Sequence, residues 1–303
     1  MQKQPLIILT GPTAVGKTKA SIGLAKAIGG EIISADSMQV YKYMDIGSAK
    51  IRPEEMRHVP HYLVDELEPD DEFHVVRFQQ MAKEAMKKIY AAGHIPIVVG
   101  GTGFYIQALL YDIDFTDNDN DTSLRAELES FAKEHGAEAL HEKLREVDQK
   151  SAETIHANNI KRVIRALEFY QKTGMKISEH NETERQKESP YQFVYFVLND
   201  DRENLYRRID LRVDQMIEEG LVAEVQALKA RGYDRSMVSM QGLGYKEILD
   251  YLDGACTLED AIYKIKRDTR HFAKRQITWF KREKHVTWIN KKITIMMKIR
   301  FWK

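Results

Sequence analysis

The chain has 303 residues, 43% of them hydrophobic, enough for one large domain or two modest ones around a sizeable core. Its single cysteine, Cys256, excludes an intramolecular disulfide and a cysteine-built zinc site, and no apolar run approaches the ~18 residues a membrane span needs. Formal net charge is zero, with 46 basic and 46 acidic residues, yet Lys264 to Lys303 carries 14 basic residues against two acidic ones, the kind of asymmetry that marks a polyanion-binding face.

The opening MQKQPLIILTGPT lacks a signal-peptide pattern, so a soluble, cytoplasmic protein is expected. Pro5 to Leu9 reads as a buried strand. GPTAVGKT follows at Gly11, Pro12, Thr13, Ala14, Val15, Gly16, Lys17 and Thr18, and then SIGLAKAIG reads as a helix ended by Gly29 and Gly30. Strand, glycine loop and helix form the context a phosphate-binding loop requires. The glycines let backbone amides converge on phosphate oxygens, the helix adds its positive N-terminal end, Lys17 adds a point charge, and Thr18 offers a hydroxyl to magnesium.

Glu31 to Ala35 reads as a second strand ending at Asp36, in DSMQVY. Ligands of open α/β sheets collect at the carboxyl ends of strands, so Asp36 is a candidate metal ligand or general base, with capping of the next turn as the structural alternative. His74 to Ala92 has helical periodicity, and Ile95 to Val99 is another buried strand that runs into Gly100, Gly101 and Gly103 of GGTGFY. That strand lacks the terminal aspartate expected of an ordinary triphosphatase. The alternation predicts a parallel sheet with helices on both faces.

After Leu110 the acidic, turn-rich stretch DIDFTDNDNDTS breaks the pattern. Helices are expected at Ser123 to His135, Ala137 to Glu146 and Asn158 to Thr173, and an exposed loop or hairpin at Ser178 to Pro190. Tyr191 to Leu198 returns to the sheet. The fold class is therefore α/β: a P-loop-type parallel sheet flanked by helices, residues 1–112 and 191–303, with an inserted all-helical subdomain at 113–190. Long helices are expected at Glu203 to Ala230 and Thr257 to Lys284, then a short strand, HVTWIN. Arg208 and Arg212 are four apart on the first of these helices, where they share a face that could clamp a diphosphate or simply meet solvent. KRDTRHFAKRQITWFKRE interleaves basic and aromatic residues in a way that suits a phosphate backbone with splayed bases.

Taken together, GPTAVGKT, DSMQVY, GGTGFY, KRVIRALEFY (161–170), LYRRIDLRVDQMIEEGL (205–221), QGLGYKE (241–247) and KRQITWFKRE (274–283) resemble the tRNA dimethylallyltransferase family, collinearly over nearly the whole chain. The resemblance implies transfer of a dimethylallyl group from dimethylallyl diphosphate to the exocyclic amine of the adenosine 3′ of the anticodon, in tRNAs reading U-starting codons. It further implies magnesium and diphosphate at Lys17 and Thr18, Asp36 as base, Thr102 beside the flipped base, and Arg208, Arg212 or both on the leaving diphosphate. Contacts to the tRNA anticodon stem-loop are implied at Asp36, Ser37, Met38, Gln39 and Thr102, and at Lys161, Arg162 and Arg165 of the inserted subdomain. Further contacts are implied at Gln241, Gly242, Gly244, Tyr245, Lys246, Lys274, Arg275, Gln276, Thr278, Trp279 and Lys281. A bacterial-type monomer without the zinc finger of eukaryotic members is expected. The rivals are a P-loop kinase of a small metabolite, which leaves the basic C-terminus idle, a prenyltransferase of free adenine nucleotides, and a silent tRNA-binding protein, which has no use for Lys17, Thr18 and Asp36 together.

Overall fold

In the computed structural model, which describes residues 3–115 and 123–290, the elements run in chain order as β1 (Gln4–Thr10), α1 (Lys17–Ile28), β2 (Gly30–Ala35), α2 (Pro53–Met56), β3 (His61–Tyr62), α3 (Val75–Ala91), β4 (Ile95–Gly100) and α4 (Gly103–Leu110). Next come α5 (Ser123–Val147), α6 (Gln149–Thr154), α7 (Ile160–Thr173) and α8 (Ile177–Gln186), then β5 (Tyr191–Asn199), α9 (Arg202–Glu218), α10 (Leu221–Ala230), α11 (Tyr245–Leu252), α12 (Leu258–Phe280) and β6 (Val286–Asn290). Two compact units result: the described residues of Met1–Leu110 with Pro190–Lys303, and Tyr111–Ser189. No helix among the described residues is long and apolar enough to cross a membrane.

The first unit is built on one sheet of six strands in the order β3-β2-β4-β1-β5-β6, every pairing parallel. Strands covered on both faces read as continuous apolar runs, and Leu6, Ile8, Leu9, Ile32, Ile33, Ile97 and Val98 are all buried. Register brings four carboxyl ends together: Thr10 stands opposite Gly100 and Val197, and Ala35 opposite Gly100. Gly100 is glycine for a steric reason, since a Cβ there would lie 2.1 Å from the Ala35 carbonyl oxygen.

Two expectations for this unit need correction. The helix over 203–230 is two helices, because Gly220 adopts φ 103° and starts α10 afresh, a conformation open to glycine at little cost. Gly30 belongs to β2 and only Gly29, at φ 63°, caps α1.

The helical unit has its own core of Leu128, Ala132, Leu140, Leu144, Val163, Ile164 and Leu167. Gly136 at φ 88° kinks α5 where two helices were expected. The loop or hairpin expected at 178–190 is instead mostly the helix α8. Its anchor is Asp148, whose nearly inaccessible carboxylate accepts from the amide (3.0 Å) and hydroxyl (2.7 Å) of Ser151 and from the amide (2.9 Å) and hydroxyl (2.7 Å) of Ser178. One anion thus serves the first turns of both α6 and α8. Burial alone would raise the Asp148 pKa, but the bonds from Ser178 and Ser151 outweigh it and hold it below the usual value. Asp148→Ala should therefore destabilise this unit by about 2–4 kcal/mol in a urea melt, the cost of orphaning several buried donors. Because the folded pKa is depressed, the contribution is full above the ordinary carboxylate range and fades as pH falls through the folded value; the variant's stability should show less of that acid loss. The acidic stretch at 112–121 lies largely, and the tail KKITIMMKIRFWK wholly, outside the described residues.

Candidate active site

Between β1 and α1 the loop carries three unusual backbone angles, Gly11 at φ 147°, Ala14 at 60° and Gly16 at 91°. A Cβ on Gly11 would meet the Leu198 carbonyl oxygen of β5 at 2.4 Å, so only glycine lets the loop fold down against the neighbouring strand. Lys17 curls back and donates to the carbonyls of Gly11 (2.9 Å) and Pro12 (3.0 Å). Burial of its ammonium lowers the pKa to about 8, opposed by Asp36 and reinforced by Arg212. Thr18 is exposed on the first turn of α1.

Asp36 follows β2 directly, half-buried, and its Oδ1 accepts from the Met38 amide at 2.9 Å. The capping role is thus real, and it occupies one oxygen; Oδ2 makes no hydrogen bond among the described residues. Thr102 is tied to the same place, since its amide donates to the Ala35 carbonyl at 3.2 Å. Thr10 Oγ1 donates to the Gly100 carbonyl at 2.6 Å and holds β1 and β4 in step where they end.

The two arginines that sequence spacing leaves equivalent are different in three dimensions. Arg208 is ion-paired with Asp200, just past the end of β5, while its buried Nε has no hydrogen-bond partner. Arg212 makes no hydrogen bond or ion pair among the described residues. Burial lowers its pKa, with Asp36 opposing and Arg208 adding to the shift. Lys17 and Arg212 are therefore two partly desolvated cations that face one carboxylate, an excess of positive charge that a polyanion would relieve. Asp200 is not singled out by any sequence motif, although the strand-end rule that points to Asp36 applies to it as well.

Oxygen donors suited to magnesium are present: the Thr18 hydroxyl beside the loop and the uncommitted Asp36 Oδ2. No group of three or more His, Cys, Asp or Glu side chains placed to hold a metal ion exists among the described residues. A hard cation held chiefly by a ligand's phosphates and by water, with one or two protein oxygens, fits this set.

The other candidates lie on several elements of the two units. Met38 lies against Gly242, where a Cβ would come 2.5 Å from its methyl carbon, and Gln39 Nε2 donates to the Ala49 carbonyl at 3.2 Å. Gln241 is exposed, Gly244 opens α11 at φ 96°, and Lys246 sits 3.5 Å from Glu247. On α12, Lys274, Arg275 and Thr278 face outwards, with Lys281 just beyond it, and a groove of about 380 Å³ runs between His271, Lys274, Arg275, Thr278, Trp279 and Arg282. In the helical unit, Lys161 and Arg162 are exposed on α7 and Arg165 is half-buried.

Two expected tRNA contacts are placed otherwise. Tyr245 is 0% exposed, its hydroxyl donating to Glu224 at 2.8 Å and its ring seated on Gly47. Glu224 also accepts from the amides of Asp45, Ile46 and Gly47, so Tyr245 belongs to the support of that loop. Gln276 is 6% exposed, with both ends of its amide bonded inside the protein.

Comparison with known proteins bears directly on this constellation. The profile of the family described as IPP transferase matches residues 39–283, and that of isopentenyl transferase matches residues 4–68. The tRNA dimethylallyltransferase of Lachnoclostridium phytofermentans is 67% identical over 95% of this chain and 92% of its own length. Among solved structures, the tRNA isopentenylpyrophosphate transferase of Bacillus halodurans is 46% identical, with TM-score 0.72 over 99% of this chain and 95% of that one. A eukaryotic dimethylallyltransferase acting on tRNA is 30% identical, with TM-score 0.82 over 95% of this chain and 74% of the other.

Proposed function

Because this chain belongs to the tRNA dimethylallyltransferase family, we propose that its phosphate loop cradles dimethylallyl diphosphate and that Asp36 takes the proton from the adenine amine during transfer. The enzyme moves a dimethylallyl group onto the adenosine 3′ of the anticodon in tRNA. In that reaction a bond forms between the exocyclic nitrogen and the allylic carbon, the bond from that carbon to the diphosphate oxygen breaks, and one proton leaves the nitrogen. The observation that carries the assignment is the convergence of Lys17, Asp36 and Arg212: two partly desolvated cations beside the loop and one carboxylate whose Oδ2 makes no hydrogen bond among the described residues.

Each residue's task follows from its chemistry. Loop amides from Gly11 to Thr18 and the α1 N-terminus bind the diphosphate, and Lys17 and Arg212 hold the charge that grows on it as the carbon departs. Arg208, committed to Asp200 through one nitrogen, contributes through its remaining donors. Magnesium, bound by the diphosphate with Thr18, would neutralise further charge on the leaving group. Thr102, fixed to Ala35, lies beside the extruded adenine. Ser37, Met38, Gln39, Gln241, Gly242, Gly244, Lys246, Lys274, Arg275, Thr278, Trp279 and Lys281 are the tRNA contacts of the first unit, and Lys161, Arg162 and Arg165 those of the helical unit. A flipped base costs little to extrude from a loop, which leaves discrimination to its edges and neighbours. The substrates are the tRNAs reading U-starting codons.

Titration of dimethylallyl diphosphate against pH, with magnesium present, tests the cradle. In the free protein Lys17 loses its proton near pH 8, whereas a bound diphosphate keeps the proton on. Above about pH 8 the Kd should therefore rise by up to about tenfold per pH unit, and Lys17→Met should bind weakly with a much flatter profile. A wild-type Kd that is constant from pH 7 to about 9.5 would count against Lys17 as a diphosphate ligand. Charge reversal at Lys274, Arg275 and Lys281 should weaken tRNA binding and flatten its salt dependence, by about one power of salt for each phosphate no longer neutralised; an unchanged slope would move the tRNA path off α12.

A further inference from the structure

We propose that Gln276 is a positioning residue for the transfer step: it fixes the spacing between the phosphate loop and the turn that carries Thr102, and so between leaving group and attacking nitrogen. The inference rests on the assignment of the site given above. Gln276 Oε1 accepts from the Thr13 amide of the phosphate loop at 2.9 Å, and its Nε2 donates to the Gly101 carbonyl at 3.0 Å. One primary amide thus bridges two loops that belong to different strands. The point is also sterically closed, because a Cβ on Gly101 would lie 2.2 Å from Gln276 Nε2 and 3.7 Å from the Gly11 carbonyl oxygen.

From Gly101 the connection continues to the other side of the site. The next residue, Thr102, donates its amide to Ala35, and Asp36 follows Ala35 in the chain. Thr13, Gln276, Gly101, Thr102, Ala35 and Asp36 therefore form one run of hydrogen bonds and peptide links from the diphosphate cradle to the base. One helical turn along α12, Trp279 packs its indole on Gly103, where a Cβ would come 2.2 Å from the ring. Residues three apart share a helix face, so α12 grips the turn on both sides of Thr102 while Lys274, Arg275 and Thr278 face outwards.

The requirement for this residue type is strict. The bridge needs a donor toward Gly101 and an acceptor toward Thr13 at one point, which a side-chain amide supplies and a carboxylate does not. Misplacing reacting groups by about 1 Å can cost on the order of 100-fold in rate, so a spacer of this kind acts on the chemical step, not on affinity for tRNA.

Single-turnover transfer to an anticodon stem-loop, together with the stem-loop Kd, reads the difference. Gln276→Met keeps the length and removes both bonds; it should lose about 10- to 100-fold in rate with Kd within about twofold of wild type. Gln276→Glu should be slow when ionised and recover when protonated, because a neutral carboxyl donates to Gly101 and accepts from Thr13. Position 276 is buried, which raises the pKa of a carboxyl placed there, so the rate of this variant relative to wild type should rise as pH falls from 8 to 6. A relative rate flat with pH, or a Met variant as fast as wild type, overturns the assignment, as does a Met variant that loses tRNA affinity alone. Should Gln276→Met not fold, the pH dependence of the Glu variant decides. A wild-type enzyme that moves no label from dimethylallyl diphosphate to tRNA would instead defeat the reading of the site itself.

Discussion

Asp36→Asn is expected to lower prenyl transfer by about 100- to 10,000-fold, the range for loss of a positioned general base, with tRNA affinity nearly unchanged. Asparagine is the informative replacement because the aspartate has two jobs that its two oxygens separate. Oδ1 accepts from the Met38 amide and shapes the start of the DSMQVY turn, and an asparagine carbonyl can do the same. Oδ2 is free of hydrogen bonds among the described residues, and only a carboxylate can take up a proton there. If the turn were the whole reason for Asp36, Asn would be almost silent and Ala would be harmful. If Asp36 is the base, Asn and Ala should be similarly slow, with melting temperatures close to wild type for Asn. Single-turnover rates for the two variants, compared with their Kd for the anticodon stem-loop, separate the cases.

The second large effect is expected at the cations. Lys17→Met should reduce kcat/KM for dimethylallyl diphosphate by about 100- to 1000-fold, in line with the loss of one pre-organised partner of a developing anion. Lys17 is partly desolvated and its ammonium is held beside the loop by the Gly11 and Pro12 carbonyls, where it is close to the charge that develops. Arg212→Met should cost a similar factor and Arg208→Met less, because Asp200 already balances the Arg208 guanidinium. Arg212→Lys should recover only part of the loss, since an ammonium cannot reproduce a planar fork. Equal effects at 208 and 212 would show that the Asp200 pair opens when substrate binds. Steady-state kinetics with varied dimethylallyl diphosphate at saturating tRNA gives all of these comparisons.

Most of the sheet can be read from the sequence, because β1, β2, β4 and β5 are short apolar runs that end in glycine or aspartate, and buried parallel strands leave that mark. The same rule locates Gly11 to Thr18, Asp36 and the Gly100–Thr102 turn before any coordinates exist. What escapes is decided by contacts between residues distant in the chain. α8 is polar and has weak periodicity, and its start depends on Asp148, 30 residues earlier. The break at Gly220 interrupts a pattern whose apolar spacing continues on both sides, so the glycine's φ alone reveals it. Arg208 and Arg212 have identical spacing arguments, and only the position of Asp200 tells them apart. Tyr245 and Gln276 sit in motifs that also carry basic residues facing solvent; their partners, Glu224, Thr13 and Gly101, lie 21 to 263 residues away. A motif therefore marks the helix that faces the ligand more reliably than it tells which of its side chains turn inward.

Transfer of a labelled prenyl group to tRNA tests whether the carboxyl end of the sheet joins a diphosphate cradle to a proton acceptor. The purified protein is incubated with magnesium, dimethylallyl diphosphate labelled in the prenyl group, and unmodified tRNA, and the RNA is digested and mapped. Label is expected on the adenosine 3′ of the anticodon in wild type, and almost none with Asp36→Asn or Lys17→Met. Absence of label from every tRNA offered, together with release of phosphate from ATP, would contradict it and make the loop a nucleotide site.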